Sequence, residues 1–133
     1  LMTLQEDLEK VLDILNRLKG EEGVIIVEGQ KDIESLVNLG IKNRIINVSQ
    51  RNIFDVIDGI KEKEVIVLTD FDKNGSSLFK KYVKELNSSG KKAVTLYYKE
   101  LKKYLKKYIV GIEQIYPFLQ KRDLIEDNSE YDW

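Results

Sequence analysis

Neither cysteine nor histidine occurs in this 133-residue chain, and proline, methionine and tryptophan occur once each. Those gaps exclude disulfides, thiol and imidazole nucleophiles, histidine general bases and ordinary zinc sites. Any catalysis is left to carboxylates, Lys, Arg, Ser, Thr, Tyr or a bound metal. Net charge is scarce as well: 22 basic and 23 acidic residues leave −1. No overall field therefore draws in nucleic acid, and such binding has to rely on a local basic face. No apolar run approaches the roughly 20 residues that cross a bilayer. The opening LMTLQEDLEK carries acids where a signal peptide carries basic residues. The expectation is a soluble, cytoplasmic protein with no membrane partner.

What is present is a chain with 42% hydrophobic and 34% charged residues, sized for one core. Its wealth of Lys and Ile is a mild compositional sign of a thermophile. Residues 1–133 read as one domain: a leading helix (1–20), an α/β core (23–97), a helical extension (98–125) and an acidic tail (126–133). Thr3 and Glu6 form a capping-box pattern, and Leu4, Leu8, Val11, Leu12, Leu15 and Leu18 recur at helical spacing. Buried strands are expected at Val24–Val27, Arg44–Val48, Val65–Leu68 and Ala93–Leu96. Helical spacing follows the first at Ile33, Leu36 and Val37. After the second, Ser49 is the expected N-cap for Ile53, Phe54, Ile57 and Ile60, and after the third come Leu78, Phe79, Val83 and Leu86. The alternation predicts a Rossmann-like α/β fold, a four-stranded parallel sheet of order 2-1-3-4 flanked by helices.

Two acidic clusters sit where apolar runs stop, VIIVEGQKD (Val24–Asp32) and VIVLTDFDKNG (Val65–Gly75). In order 2-1-3-4 the first and third strands are neighbours, and ligands bind beyond the carboxyl ends of strands at such a reversal. Glu28 then faces Asp70 and Asp72. Carboxylates crowded in one crevice repel one another unless a cation lies between them, and Mg2+ suits oxygen ligands. Mn2+ is an acceptable substitute. Asp70 and Asp72, alternate residues of an extended segment, point the same way, with Phe71 turned inward. Gly29 and Gly75 permit close approach of a phosphate near helix N-termini.

At these residues the chain resembles the Toprim domain shared by topoisomerases, primases, certain nucleases and recombination proteins. The resemblance spans Gly23 to Leu96. It implies Glu28 as a general acid/base, Asp70 and Asp72 as a metal-binding pair, and Asp32 as an auxiliary ligand. YIVGIEQIYPFL (Tyr108–Leu119) is similar to the segment that follows the core in small Toprim proteins, including the ribonuclease that matures 5S ribosomal RNA. That implies Glu113 as an auxiliary acid. The chain lacks the tyrosine domain of a topoisomerase, the zinc module of a primase and the P-loop of ATP-linked nucleases, so it resembles the uncharacterised small Toprim proteins of archaea and bacteria.

Other features carry two readings. Lys31 either meets a phosphate or is a solvated lysine at a helix start. KELKKYLKKY (Lys99–Tyr108) either tracks nucleic acid with Lys102, Lys103, Lys106 and Lys107 or is a solvated amphipathic helix. The leading helix either packs on the sheet or forms a homodimer seam. The function expected first is Mg2+-dependent phosphodiester hydrolysis or transfer on RNA or DNA, a nuclease-like activity with RNA favoured. Its rival is a non-catalytic module that binds metal and nucleic acid or assembles with a protein partner, and a structural domain with vestigial acids is a third reading.

Overall fold

A computed structural model describes residues 1–125, so the acidic tail expected at 126–133 lies outside the described residues. The elements run α1 (Leu4–Lys19), β1 (Val24–Val27), α2 (Gln30–Asn38), β2 (Ile45–Asn47), α3 (Ile53–Asp58), β3 (Glu64–Val67), α4 (Lys73–Ser88), β4 (Lys92–Val94), α5 (Leu96–Leu105), a 3-10 turn (Ile112–Gln114) and α6 (Ile115–Gln120). The four strands form one parallel sheet in the order β2-β1-β3-β4. Registers Ile25↔Ile45 and Ile25↔Ile66 centre β1 between its two neighbours. β1 is built wholly of Val and Ile, and all four residues are buried. A strand with helices over its faces has no wet side, and unbroken β-branched residues satisfy that demand.

Several boundaries differ from the sequence expectation, among them β2, which covers Ile45–Asn47 rather than Arg44–Val48. α3 is capped by Asn52, whose side chain accepts from the Phe54 and Asp55 N–H groups, rather than by Ser49. Ser49 instead donates its N–H to Asn47 Oδ1, and Gln50 turns the chain at φ 56°, which delays the helix. β4 ends at Val94, and Leu96 opens α5 instead of extending the strand. Tyr97, Tyr98, Leu101 and Leu105 are buried, a helical period that pulls the chain out of the extended form. β3 begins one residue early, at Glu64, because it continues pairing with Lys92 at the sheet edge.

α1 is closed at its start by the Thr3–Glu6 capping box. It buries Leu8, Val11, Ile14, Leu15 and Leu18 within the chain and packs on α5. The apolar face read as a dimer seam is therefore used up internally. Asp7, 1% exposed, accepts from the Tyr108 hydroxyl at 2.5 Å and from the Lys107 ammonium at 2.8 Å. Lys107 thus ties α1 to the end of α5. Among the described residues, no helix is long and apolar enough to cross a membrane.

The Lys107 and Tyr108 hydrogen bonds hold the Asp7 carboxyl below its ordinary range. A carboxyl whose pKa falls on folding stabilises the fold above its unfolded value and loses that contribution as pH drops below it. Asp7→Asn should therefore lower the urea midpoint at neutral pH, with the gap to wild type closing at about pH 3. An equal gap at both pH values would show that the ion pair is irrelevant to stability.

Candidate functional site

The carboxyl ends of β1 and β3 deliver Glu28 and Asp70 to the same crevice. Glu28 Oε2 accepts the Asp70 N–H at 2.6 Å, closing the gap between the two strands. The Asp70 carbonyl accepts from the Tyr98 hydroxyl of α5 at 2.8 Å. Gly75, in the first turn of α4, is pressed against the Asp70 backbone so closely that a Cβ would collide with the Asp70 carbonyl. Thr69 Oγ1 donates to the Gly75 carbonyl at 2.7 Å and secures that approach. Gly111 lies against the carboxylate itself, where a Cβ would strike Asp70 Oδ1.

Asp70 Oδ1 is buried and has no hydrogen-bond partner. Burial, then the charges of Glu28 and Asp32, push the Asp70 carboxyl up to about 7, against a backbone hydrogen bond from Ile112, with Asp72 adding further repulsion. Asp32 is 5% exposed. Its Oδ2 accepts the Gly29 N–H at 3.0 Å. Burial raises its carboxyl to about 6, opposed by hydrogen bonds from the Gly29 and Glu113 backbones and reinforced by the charges of Glu113 and Glu28. Carboxylates are thus gathered and partly dehydrated at one end of the sheet, the condition that favours a cation or a proton.

Each expected site residue has a definite place. Glu28 meets the Asp70 backbone amide, Asp32 acts on the Asp70 carboxyl through its charge, and Phe71 is buried. Asp72 does not turn inward with Asp70. It is exposed and caps α4, its Oδ1 accepting the Gly75 N–H at 2.7 Å. Glu113, on the 3-10 turn, is exposed and reaches the site through Asp32. Lys31 lines a hollow beside Glu34, Ser35 and Glu113. As arranged, no three acids among the described residues converge closely enough to hold an ion between them. The Glu28 and Asp72 bonds each use one carboxylate oxygen, so the second oxygen of each is left for a ligand.

Sequence reasoning missed Gly111, Ser76 and Tyr98 as parts of the site. Gly111 carries a signal, since it opens the GIE stretch from which only Glu113 was singled out. Tyr98 has a packing role, its ring stacking on Phe79 at 4.0 Å. Its hydroxyl, however, reaches past that stack to Asp70.

A UPF0292 protein of Methanocaldococcus jannaschii is 36% identical over 126 residues, covering 91% of this chain and 98% of the relative. One from Thermococcus kodakarensis is 37% identical over 112 residues, or 84% of each chain. The chain belongs to the UPF0292 family. A solved structure of an uncharacterised protein from Aquifex aeolicus is similar at TM-score 0.66 and 32% identity, over 78% of this chain and 96% of that one. No family model matches the sequence. Nothing in these relatives indicates a Toprim domain, so the resemblance read from VEGQKD and TDFDKNG is corrected to membership of UPF0292. The physical reason is that an acid after each of two adjacent buried strands marks a ligand crevice in a parallel sheet generally.

Two consequences are measurable. A carboxyl whose pKa rises on folding stabilises the fold below its unfolded pKa and loses that contribution as pH rises through the folded value. In EDTA, wild type should therefore gain stability as pH falls from about 8 to about 5, and Asp70→Asn should be more stable than wild type at the alkaline end and flatten the profile. A variant less stable than wild type at pH 8 would contradict this. Gly75→Ala, which collides with fixed backbone, should lose about 2 kcal/mol or more in urea unfolding. Gly111→Ala should lose less, because a side chain can yield.

Proposed function

We propose that the protein binds Mg2+ in the crevice between β1 and β3 and carries out phosphodiester hydrolysis or transfer on nucleic acid, with RNA the preferred substrate and Mn2+ an acceptable substitute. The observation that carries this reading is Asp70 Oδ1, a buried carboxylate oxygen with no partner, since a dehydrated carboxylate oxygen left unpaired calls for a cation or a proton. All donors nearby are oxygens, the set that hard divalent ions prefer. Because no three acids among the described residues converge as arranged, Asp70 with the second oxygen of Asp72 would hold the ion, and water would complete its shell. Asp32 acts behind them, its carboxylate fixed to the Gly29 amide. A bound cation supplies charge neutralisation for the phosphate and a lowered pKa for coordinated water. Glu28, tied through one oxygen to the Asp70 amide, presents the other for taking or returning a proton. The same reading assigns the protein to the cytoplasm.

A non-catalytic module that binds metal and nucleic acid, or assembles with a protein, is favoured by one feature. Glu28 and Asp72 are both already engaged with backbone amides. Turnover separates the two readings. Against a panel of structured RNAs and DNAs, wild type should cleave in Mg2+ and stop in EDTA, and Asp70→Asn should be slower by at least about 100-fold. Mg2+-dependent RNA binding without any cleavage would select the module, and equal cleavage by the variant would remove Asp70 from the reaction.

A further inference from the structure

Beside the acidic crevice lies a groove of about 670 Å³ between α4 and α5. Its rim carries Lys80 and Lys84 from α4 and Lys99, Lys102, Lys103 and Lys106 from α5, and no carboxylate lines it. Its floor is Phe79, Val83 and Tyr98. In a chain whose net charge is −1, six cations without an opposing acid form a local positive field. Lys80 and Lys84, Lys99 and Lys103, and Lys102 and Lys106 each stand four residues apart, about 6 Å along a helix axis. That repeat suits an occupant with regularly spaced negative charges.

The groove is also joined to the crevice. Lys102 donates to Ser76 Oγ at 2.5 Å, Ser76 lies 3.2 Å from the Tyr98 hydroxyl, and Tyr98 donates to the Asp70 carbonyl. With Tyr98 donating to Asp70, Ser76 must donate to Tyr98, so the chain of bonds runs one way from the lysines to the end of β3. We propose that this groove is a track for single-stranded nucleic acid, gripping its phosphates and leading the strand to the Asp70 crevice. The inference uses the reading above only for what happens at the crevice.

The dimensions and chemistry select that occupant. A groove of this volume falls in the small-ligand range and seats the units of a single strand. The Phe79 and Tyr98 rings are 8% and 3% exposed, so bases cannot stack on them and are left facing solvent. Contacts confined to phosphates carry no sequence information. The same shallow, filled floor offers no sockets for the apolar anchors of an amphipathic helix, which disfavours an acidic protein partner.

The test is fluorescence anisotropy of a 12-nucleotide labelled oligouridylate with the full chain in EDTA across a salt series. Lys80, Lys84, Lys103 and Lys106, all exposed, are replaced together by Gln. A charge-matched control replaces Lys19, Lys42, Lys61 and Lys63, also exposed and outside the groove. The groove variant should bind about 30-fold more weakly and show a log–log salt slope shallower by about 3, and the control should change by less than about 3-fold. Equal losses in both variants, no loss in the groove variant, or tighter binding of an acidic amphipathic peptide than of the oligomer would overturn the proposal. Asp70→Asn should keep oligomer binding. A wild type that binds through these lysines but never cleaves defeats the hydrolase reading alone, and cleavage untouched by the four replacements defeats the track alone.

Discussion

The Asp70 amide donates to Glu28 while its carbonyl accepts from Tyr98, so one residue just beyond β3 is gripped from β1 and from α5 at once. Gly75 crowds its backbone and Gly111 its carboxylate. The next residue extends the clamp, because the Phe71 N–H donates to the Val110 carbonyl at 2.8 Å and fixes the segment that carries Gly111. With every neighbour in place, the Asp70 side chain has little freedom to turn toward water. Its unpaired Oδ1 and raised pKa follow from that confinement rather than from any single contact.

The acids of the crevice are flanked by the lysines of the α4/α5 groove, as the proposed track requires. A polyanion approaching Glu28, Asp32 and Asp70 meets like charge, and a local field of opposite sign is needed to hold it there. The six lysines of the α4/α5 groove provide that field on one side only. Lys107, one position past the rim, is diverted to Asp7 and serves the α1 contact. The extension after β4 therefore has two faces with separate tasks, one binding α1 and one open toward α4.

Much of the frame was legible because it follows from periodicity. β1 was readable to the residue, since a run of only four residues, all Val and Ile, is too short for a helix and suits a buried strand. The order 2-1-3-4 was expected from the βα alternation, and it is what brings the acids after β1 and β3 together. Local hydrogen bonds were harder to foresee. The Asn47 turn that displaced the α3 cap competes with a serine of similar propensity, and nothing in the pattern ranks them. The divergence of Asp70 and Asp72 has the same origin, because α4 starts at Lys73 and recruits Asp72 as its cap. Gly111 was hidden for another reason: its role depends on a long-range approach to Asp70 that no local window contains.

Such an arrangement is expensive to fold. A buried polar atom left without a partner costs about 1–3 kcal/mol, and the raised pKa values of Asp70 and Asp32 add to that penalty at neutral pH. The surrounding strands are built to bear it, with every residue from Val65 to Thr69 and from Val24 to Val27 buried. Where local rules are broken inside an otherwise consistent core, the exceptions mark function more often than error. In this chain the exceptions coincide: the unpaired oxygen, the two glycines pressed against Asp70 and the two strongly perturbed carboxyls all gather around Asp70. Stability alone would favour relaxing any one of them, and they stand together at the carboxyl ends of the strands, where parallel sheets generally bind ligands.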